Sequence, residues 1–209
     1  NQKNGKNSLG LDACFEDVEN PIDLFRKWFA KAKESEINDP NALALATASN
    51  TNQASVRMVL LKDLSDKGFV FYTNFNSKKS EDLKDNKNAS MCFHWKSLRR
   101  QIRITGKVEK VTDKEADSYF NSRPYKNKIG AWASSQSKIM DNRENFLKKI
   151  KDLEKKYPDQ NNVPRPEYWS GWRVLPSEIE FWVDVEGRVH ERLNYKYKNG
   201  KWFKELLYP

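Results

Sequence analysis

Apolar positions recur at helical spacing early in the chain and alternate with polar ones through most of the rest. Ile22, Phe25, Trp28, Phe29 and Ala32 fall on one face of a 3.6-residue helix. Asn20 and Pro21 just ahead of them read as an N-cap and a first-turn proline. From about residue 42 the period shortens. Segments 42–48, 55–62, 69–74, 89–95 and 101–111 are short and rich in β-branched and aromatic residues, and Asn50, Asn52, Asp66-Lys67-Gly68 and residues 86–88 separate them. A short helix opens at Ser77. Thr112 and Glu115 form a capping box that starts a helix through Phe120, and a further helix covers about 141–157. Strands return over 171–175, 178–183, 189–198 and 202–206, with Asn199-Gly200 as a hairpin turn. Strand spacing of about ten residues favours an antiparallel barrel over βαβ units.

The expected fold is therefore mainly β with peripheral helices, an antiparallel α+β barrel. The chain has 209 residues, enough for one core. Residues 20–209 read as a single domain, and the polar residues 1–19 as a mobile leading segment. With 12% aromatic residues and 37% hydrophobic, the composition is globular rather than disordered. The formal charge of +9 permits nucleic acid, an anionic surface or small phosphorylated ligands as partners. No recognition helix, zinc finger or ribonucleoprotein signature accompanies it, so charge alone does not point to nucleic acid. Cys14 and Cys92 are too few for a disulfide framework and have no metal-ligand spacing, so no metal is expected. No apolar run reaches membrane-spanning length and no signal peptide is evident, which suggests a cytoplasmic protein.

Cations in unusual places carry the chemistry. The segment from Val56 to Lys62 is apolar except for Arg57 and Lys62, as expected of a strand buried on both faces, where a cation needs a partner. The odd spacing of the two puts them on opposite faces of a regular strand, where they would serve different anions. Lys78-Lys79 at a helix start suits phosphate. Gln101 and Arg103 share a polar strand face. Small polar residues at 134–137 lie near further cations. His94 reads as a core or barrel-surface residue. Arg188, His190 and Arg192 would line one strand face, where their charges repel unless an anion lies between them. With no Gly-rich phosphate loop, GxSxG elbow or HExxH, an organic cofactor is the natural source of difficult chemistry.

Six motifs in order, RMVLLK (57–62), FYTNFNSKK (71–79), RRQIRITG (99–106), YFNSRP (119–124), IGAWASSQS (129–137), and EIEFW with GRVHER (178–182 and 187–192), resemble the pyridoxine (pyridoxamine) 5'-phosphate oxidase family. The resemblance implies a split β-barrel that forms a homodimer with FMN at the subunit interface. It implies that Arg57, Met58, Val59, Leu60, Tyr72, Thr73, Lys78, Lys79, Gln101, Gln136, Ser137, Trp182 and Arg192 contact FMN. Lys62, Tyr119, Arg123 and Asn127 would hold the substrate phosphate, with Arg188, Val189 and His190 at the substrate and Arg188 and His190 as the catalytic pair. The implied reaction oxidises phosphorylated B6 vitamers to pyridoxal 5'-phosphate, with O2 as acceptor and H2O2 as product. Asn127, Val189, Glu191 and the ending ELLYP depart from the usual family pattern. A non-catalytic flavin or pyridoxal-phosphate binding protein, or another flavin reductase on the same barrel, are the competing readings.

Overall fold

A computed structural model of the chain describes residues 6–209. Helix α1 covers Pro21–Ser35. Strands β1 (Ala42–Ala48), β2 (Ala54–Leu60), β3 (Asp63–Ser65) and β4 (Gly68–Asn74) follow, then helix α2 (Lys78–Asp85) and strands β5 (Asn88–Trp95) and β6 (Arg100–Lys110). Three helices come next, α3 (Asp113–Ser122), α4 (Tyr125–Ala133) and α5 (Arg143–Lys156). The chain ends on β7 (Trp169–Val183), β8 (Glu191–Lys198) and β9 (Lys201–Leu206).

The sheet runs β2-β1-β5-β6-β7-β4-β3 with antiparallel neighbours throughout. Its two ends, β2 and β3, are joined by Leu61 and Lys62 alone. The Leu61 amide donates to Asn41 O at 2.8 Å and the Lys62 amide to Val70 O at 2.9 Å. The chain therefore joins the two ends of the sheet at this corner, while β2, β3 and β9 each pair with a single neighbouring strand. Strand β7 serves two neighbours on one side: residues 169–174 pair with β4 and residues 178–183 with β8. The β8–β9 ribbon thus splits away from the rest of the sheet. This is the expected antiparallel split barrel with helices around it. At the split, the β6–β7 register shifts between Thr105 and Gly106. A Cβ on Gly106 would stand 2.0 Å from Leu175 O, so the crossing has no room for a side chain.

Helix α1 packs its apolar face onto the barrel. Phe25 meets Phe69 edge-on at 4.9 Å and Phe93 at 5.2 Å, and Trp28 meets Phe181 at 5.1 Å. Asn20 accepts the Ile22 amide as N-cap, and Thr112 and Glu115 form the capping box. Asn199 and Gly200 both take positive φ, 51° and 80°, and turn β8 into β9.

Four expectations change. The leading segment is not loose over its described part. Phe15 is fully buried and packs on Trp28 at 5.4 Å, Trp28 Nε1 donates to Cys14 O, and Tyr195 donates to Val18 O. Residues 1–5 of that segment lie outside the described residues. Second, β2 is not buried on both faces, because Val56, Met58 and Leu60 are exposed. Third, residues 125–133 form a helix that periodicity does not reveal. Fourth, segments 171–175 and 178–183 are one strand carried through Pro176, whose missing N–H falls at the register shift.

Candidate active site

A cleft of about 1030 Å³ lies between β2, β4, the start of α2, the α3–α4 junction and the loop after α4. Arg57, Met58, Val59 and Leu60 form one wall, with Lys62 just beyond the strand. The opposite-face argument for Arg57 and Lys62 does not hold. It requires a regular strand through both, but β2 ends at Leu60 and both residues line this cleft.

The first anion-binding end sits at the start of α2. Lys79 is 6% exposed, and its Nζ donates to Thr73 Oγ1 at 3.1 Å and Ser77 Oγ at 3.3 Å. No carboxylate among the described residues pairs with it. Burial, reinforced by the nearby Arg57 charge, pulls its pKa down to about 8. Thr73 in turn donates to Gln136 Oε1 at 3.2 Å, and Asn74 Nδ2 donates to Ser134 O, so the loop after α4 is tied to β4. Ser137 in this loop takes a positive φ of 69° and lines the cleft. Arg57 donates to Leu45 O at 3.2 Å and Thr47 Oγ1 at 2.7 Å, while Lys78 pairs with Asp82.

The second end sits at the α3–α4 junction. Arg123 precedes Pro124, a placement that disfavours helical backbone, and it is extended with ψ of 147°. Helix α3 therefore stops there, and Arg123 stacks 4.6 Å from the Trp169 ring centroid. Its Nη1 is buried without a hydrogen-bond partner, and burial lowers its pKa. Tyr119, Lys62 and Asn127 line the same end. At this end Tyr72 also stacks on Tyr119 at 4.1 Å and lies parallel to Trp169 at 5.4 Å. Burial pushes the Tyr72 phenol up to about 12, so it is neutral at physiological pH.

Sequence reasoning misses Trp169, which carries both the aromatic stack and Arg123. The signal that could have found it is the aromatic pair Tyr168-Trp169 just ahead of Gly171. That glycine is required, since a Cβ there would press on the Tyr72 ring at 2.8 Å. Asn74 also lines the cleft without having been expected, and Ser122, Lys126 and Ser134 line it from the polar stretches around the further cations.

Gln101, Trp182, Arg188, Val189, His190 and Arg192 do not line this cleft. Gln101 pairs in register with Trp182, and Trp182 with Arg192. His190 lies 4.7 Å from the Trp182 ring, and its Nδ1 accepts the Val185 amide at 3.1 Å. Asp184 Oδ1 also lies 3.1 Å from that nitrogen. The shared-face argument for Arg188, His190 and Arg192 fails, because β8 begins only at Glu191. Arg188 sits in a 3₁₀ turn with φ of 61°. Nor does Arg192 need an anion there, since it donates to the buried Glu180 at 2.8 Å, which Arg103 also holds. His94 is on the barrel surface.

Residues 29–157 match the family model described as pyridoxamine 5'-phosphate oxidase. Residues 169–209 match the model for the pyridoxine 5'-phosphate oxidase C-terminal dimerisation region. The chain is 58% identical over 207 residues to a pyridoxine/pyridoxamine 5'-phosphate oxidase of Pelagibacter ubique, covering 99% of this chain and 100% of that one. A protein of the same name from Bartonella quintana is 50% identical, covering 97% and 99%. Among solved structures, PhzG from Burkholderia lata, in complex with tetrahydrophenazine-1-carboxylic acid, superposes with a TM-score of 0.89 at 29% identity over 98% of this chain and all of that one. A pyridoxamine 5'-phosphate oxidase-related, FMN-binding protein from Nostoc punctiforme shares the fold with a TM-score of 0.71 at 15% identity, over 88% and 97%.

Proposed function

The chain belongs to the pyridoxamine 5'-phosphate oxidase family, and we propose that it binds FMN and oxidises pyridoxine 5'-phosphate and pyridoxamine 5'-phosphate to pyridoxal 5'-phosphate. O2 is the electron acceptor in this reading, H2O2 the product, and the amine also releases ammonia. One observation supports it above the others. A single cleft carries two cationic groups that no carboxylate among the described residues pairs with, the buried Lys79 at one end and the half-buried Arg123 at the other, with an aromatic stack against Arg123. Two phosphates and two flat rings, of a flavin and a pyridine, match that layout.

The residues present fit FMN. The orphaned cation at Lys79, with Thr73, Gln136, Ser137, Arg57 and Lys78 around it, is a donor set for a phosphate dianion. The main chain and side chains of Met58, Val59 and Leu60 offer an apolar wall beside it. Bound FMN supplies a two-electron acceptor for the C4' hydrogen of the vitamer. The chain's own residues bind and orient. Lys62, Tyr119, Arg123 and Asn127 hold the substrate phosphate, and the buried Nη1 of Arg123 gains the acceptor it lacks. Fixing both phosphates sets how the two rings overlap.

The match to a dimerisation region supports a homodimer. We place the segment carrying Gln101, Trp182, Arg188, Val189, His190 and Arg192 against the cleft of a second copy. Its absence from the cleft of its own chain and the exposed apolar side chains of Met58, at the cleft wall, and Val56, next to it on the same face of β2, support this. Arg188 and His190 would then position C4' and stabilise charge there. Across the described residues no helix is long and apolar enough to cross a membrane.

The test is turnover. After FMN loading, both phosphorylated vitamers should yield pyridoxal 5'-phosphate with equimolar peroxide. Flavin binding without turnover of either would leave a binding protein and sink the oxidase reading.

A further inference from the structure

Asp82 belongs to none of the motifs that carry the site, and it does not line the cleft. It is nonetheless 3% exposed and sits beneath the phosphate end. Its Oδ2 accepts from Thr47 Oγ1 at 2.7 Å and Ser55 Oγ at 3.1 Å, and its Oδ1 accepts from Lys78. The same two hydroxyls face Arg57: Nη1 donates to Thr47 Oγ1 at 2.7 Å and Nη2 donates to Ser55 Oγ at 2.5 Å. Arg57 Nη2 stands 4.0 Å from the carboxylate itself.

The direction of these bonds is forced. A hydroxyl has one proton and two lone pairs, and a guanidinium has only donors. Beyond its bond to Leu45 O, Arg57 is held by Thr47 and Ser55 only if they present lone pairs to it. They do so because each gives its single proton to an ionised Asp82, whose oxygens only accept. The hydrogen bonds hold the Asp82 carboxyl below its usual range against the effect of burial.

We propose that Asp82 is a positioning residue for the FMN phosphate site. It polarises Thr47 and Ser55 so that they fix the Arg57 guanidinium, and it anchors Lys78, while Lys79 is left uncompensated for the incoming anion. This rests on the FMN reading above. Counting charges gives the opposite expectation, since removing a carboxylate from beside Arg57 and Lys78 should tighten anion binding. The two views are therefore separable.

The experiment measures dissociation constants of the full-length flavin-free protein for FMN and for riboflavin, which lacks the phosphate, by flavin fluorescence quenching. Asp82→Asn should weaken FMN about tenfold or more, the scale of a charge-assisted hydrogen bond, and leave riboflavin within about twofold. Thr47→Val and Ser55→Ala, which keep the carboxylate but break one arm of the relay each, should shift FMN in the same direction. If the Asp82 variant does not fold, these two substitutions decide between the same outcomes. FMN binding that is unchanged or tighter in these variants overturns the proposal, as does an equal loss of FMN and riboflavin, which marks a merely structural role. Wild-type protein that binds no FMN overturns the cofactor reading itself, a result visible before any variant is made.

Discussion

The Arg123 guanidinium lies 4.6 Å from the Trp169 ring centroid with one buried nitrogen unpaired. The ring's quadrupole stabilises the charge in part, and the missing acceptor is what a substrate phosphate provides. Arg123→Lys keeps the charge but loses the planar stack and the fork. It should raise KM for the phosphorylated vitamers about tenfold or more, with FMN affinity within about twofold. Steady-state kinetics alongside FMN titration checks this, and equal losses of both would contradict the division of the cleft.

Lys79 gives a pH dependence whose sign follows from its burial. In the flavin-free protein its pKa is about 8, below the usual lysine value. A phosphate dianion favours the ammonium form, so bound FMN raises that pKa. Below about pH 8 the lysine is charged with or without FMN, and its contribution is constant. Above it, binding must first protonate the lysine, so affinity falls as pH rises, by up to about tenfold per pH unit. FMN titrations from pH 7 to 9.5 should show this fall, and Lys79→Arg should flatten it.

Met58 is 65% exposed on a strand that walls the cleft. A carboxylate there costs the single chain little but is expensive if a second copy covers it. Met58→Asp should shift sedimentation from dimer to monomer, leave far-UV circular dichroism unchanged, and weaken FMN. A dimer that survives the substitution would place the interface elsewhere.

Phe15 ties the leading segment to the body through its contact with Trp28. Phe15→Ala should destabilise by about 3–5 kcal/mol, read as a lower urea midpoint with an unchanged slope. A negligible effect would show that this segment is dispensable to the core.

Much of the architecture is legible in local pattern. The Asn20-Pro21 start of α1, the Thr112–Glu115 capping box and the Asn199-Gly200 turn are each decided within a few residues, and each stands where the pattern puts it. Helix α4 is not legible, because Tyr125–Ala133 buries only Lys128, Ile129 and Ala133 and shows little apolar period. The cations at 57, 62, 78, 79 and 123 are legible as site residues and line one cleft, but two geometric arguments about cation placement fail. Both assume regular strands where the chain bends, at Leu60 and before Glu191.

Residue types and the order of the motifs need no fold to be recognised, and they are enough to identify the family. It takes the folded chain to show that β2 and β3 meet at one corner through Leu61 and Lys62, and that Trp169, distant in sequence from Arg123, carries its guanidinium. The fold also brings Arg57 and Lys62 into one cleft and leaves Arg188 and His190 outside it. The difference is one of range. Capping and turn preferences act within a few residues, whereas burial, stacking and charge compensation depend on which distant segments the sheet brings together.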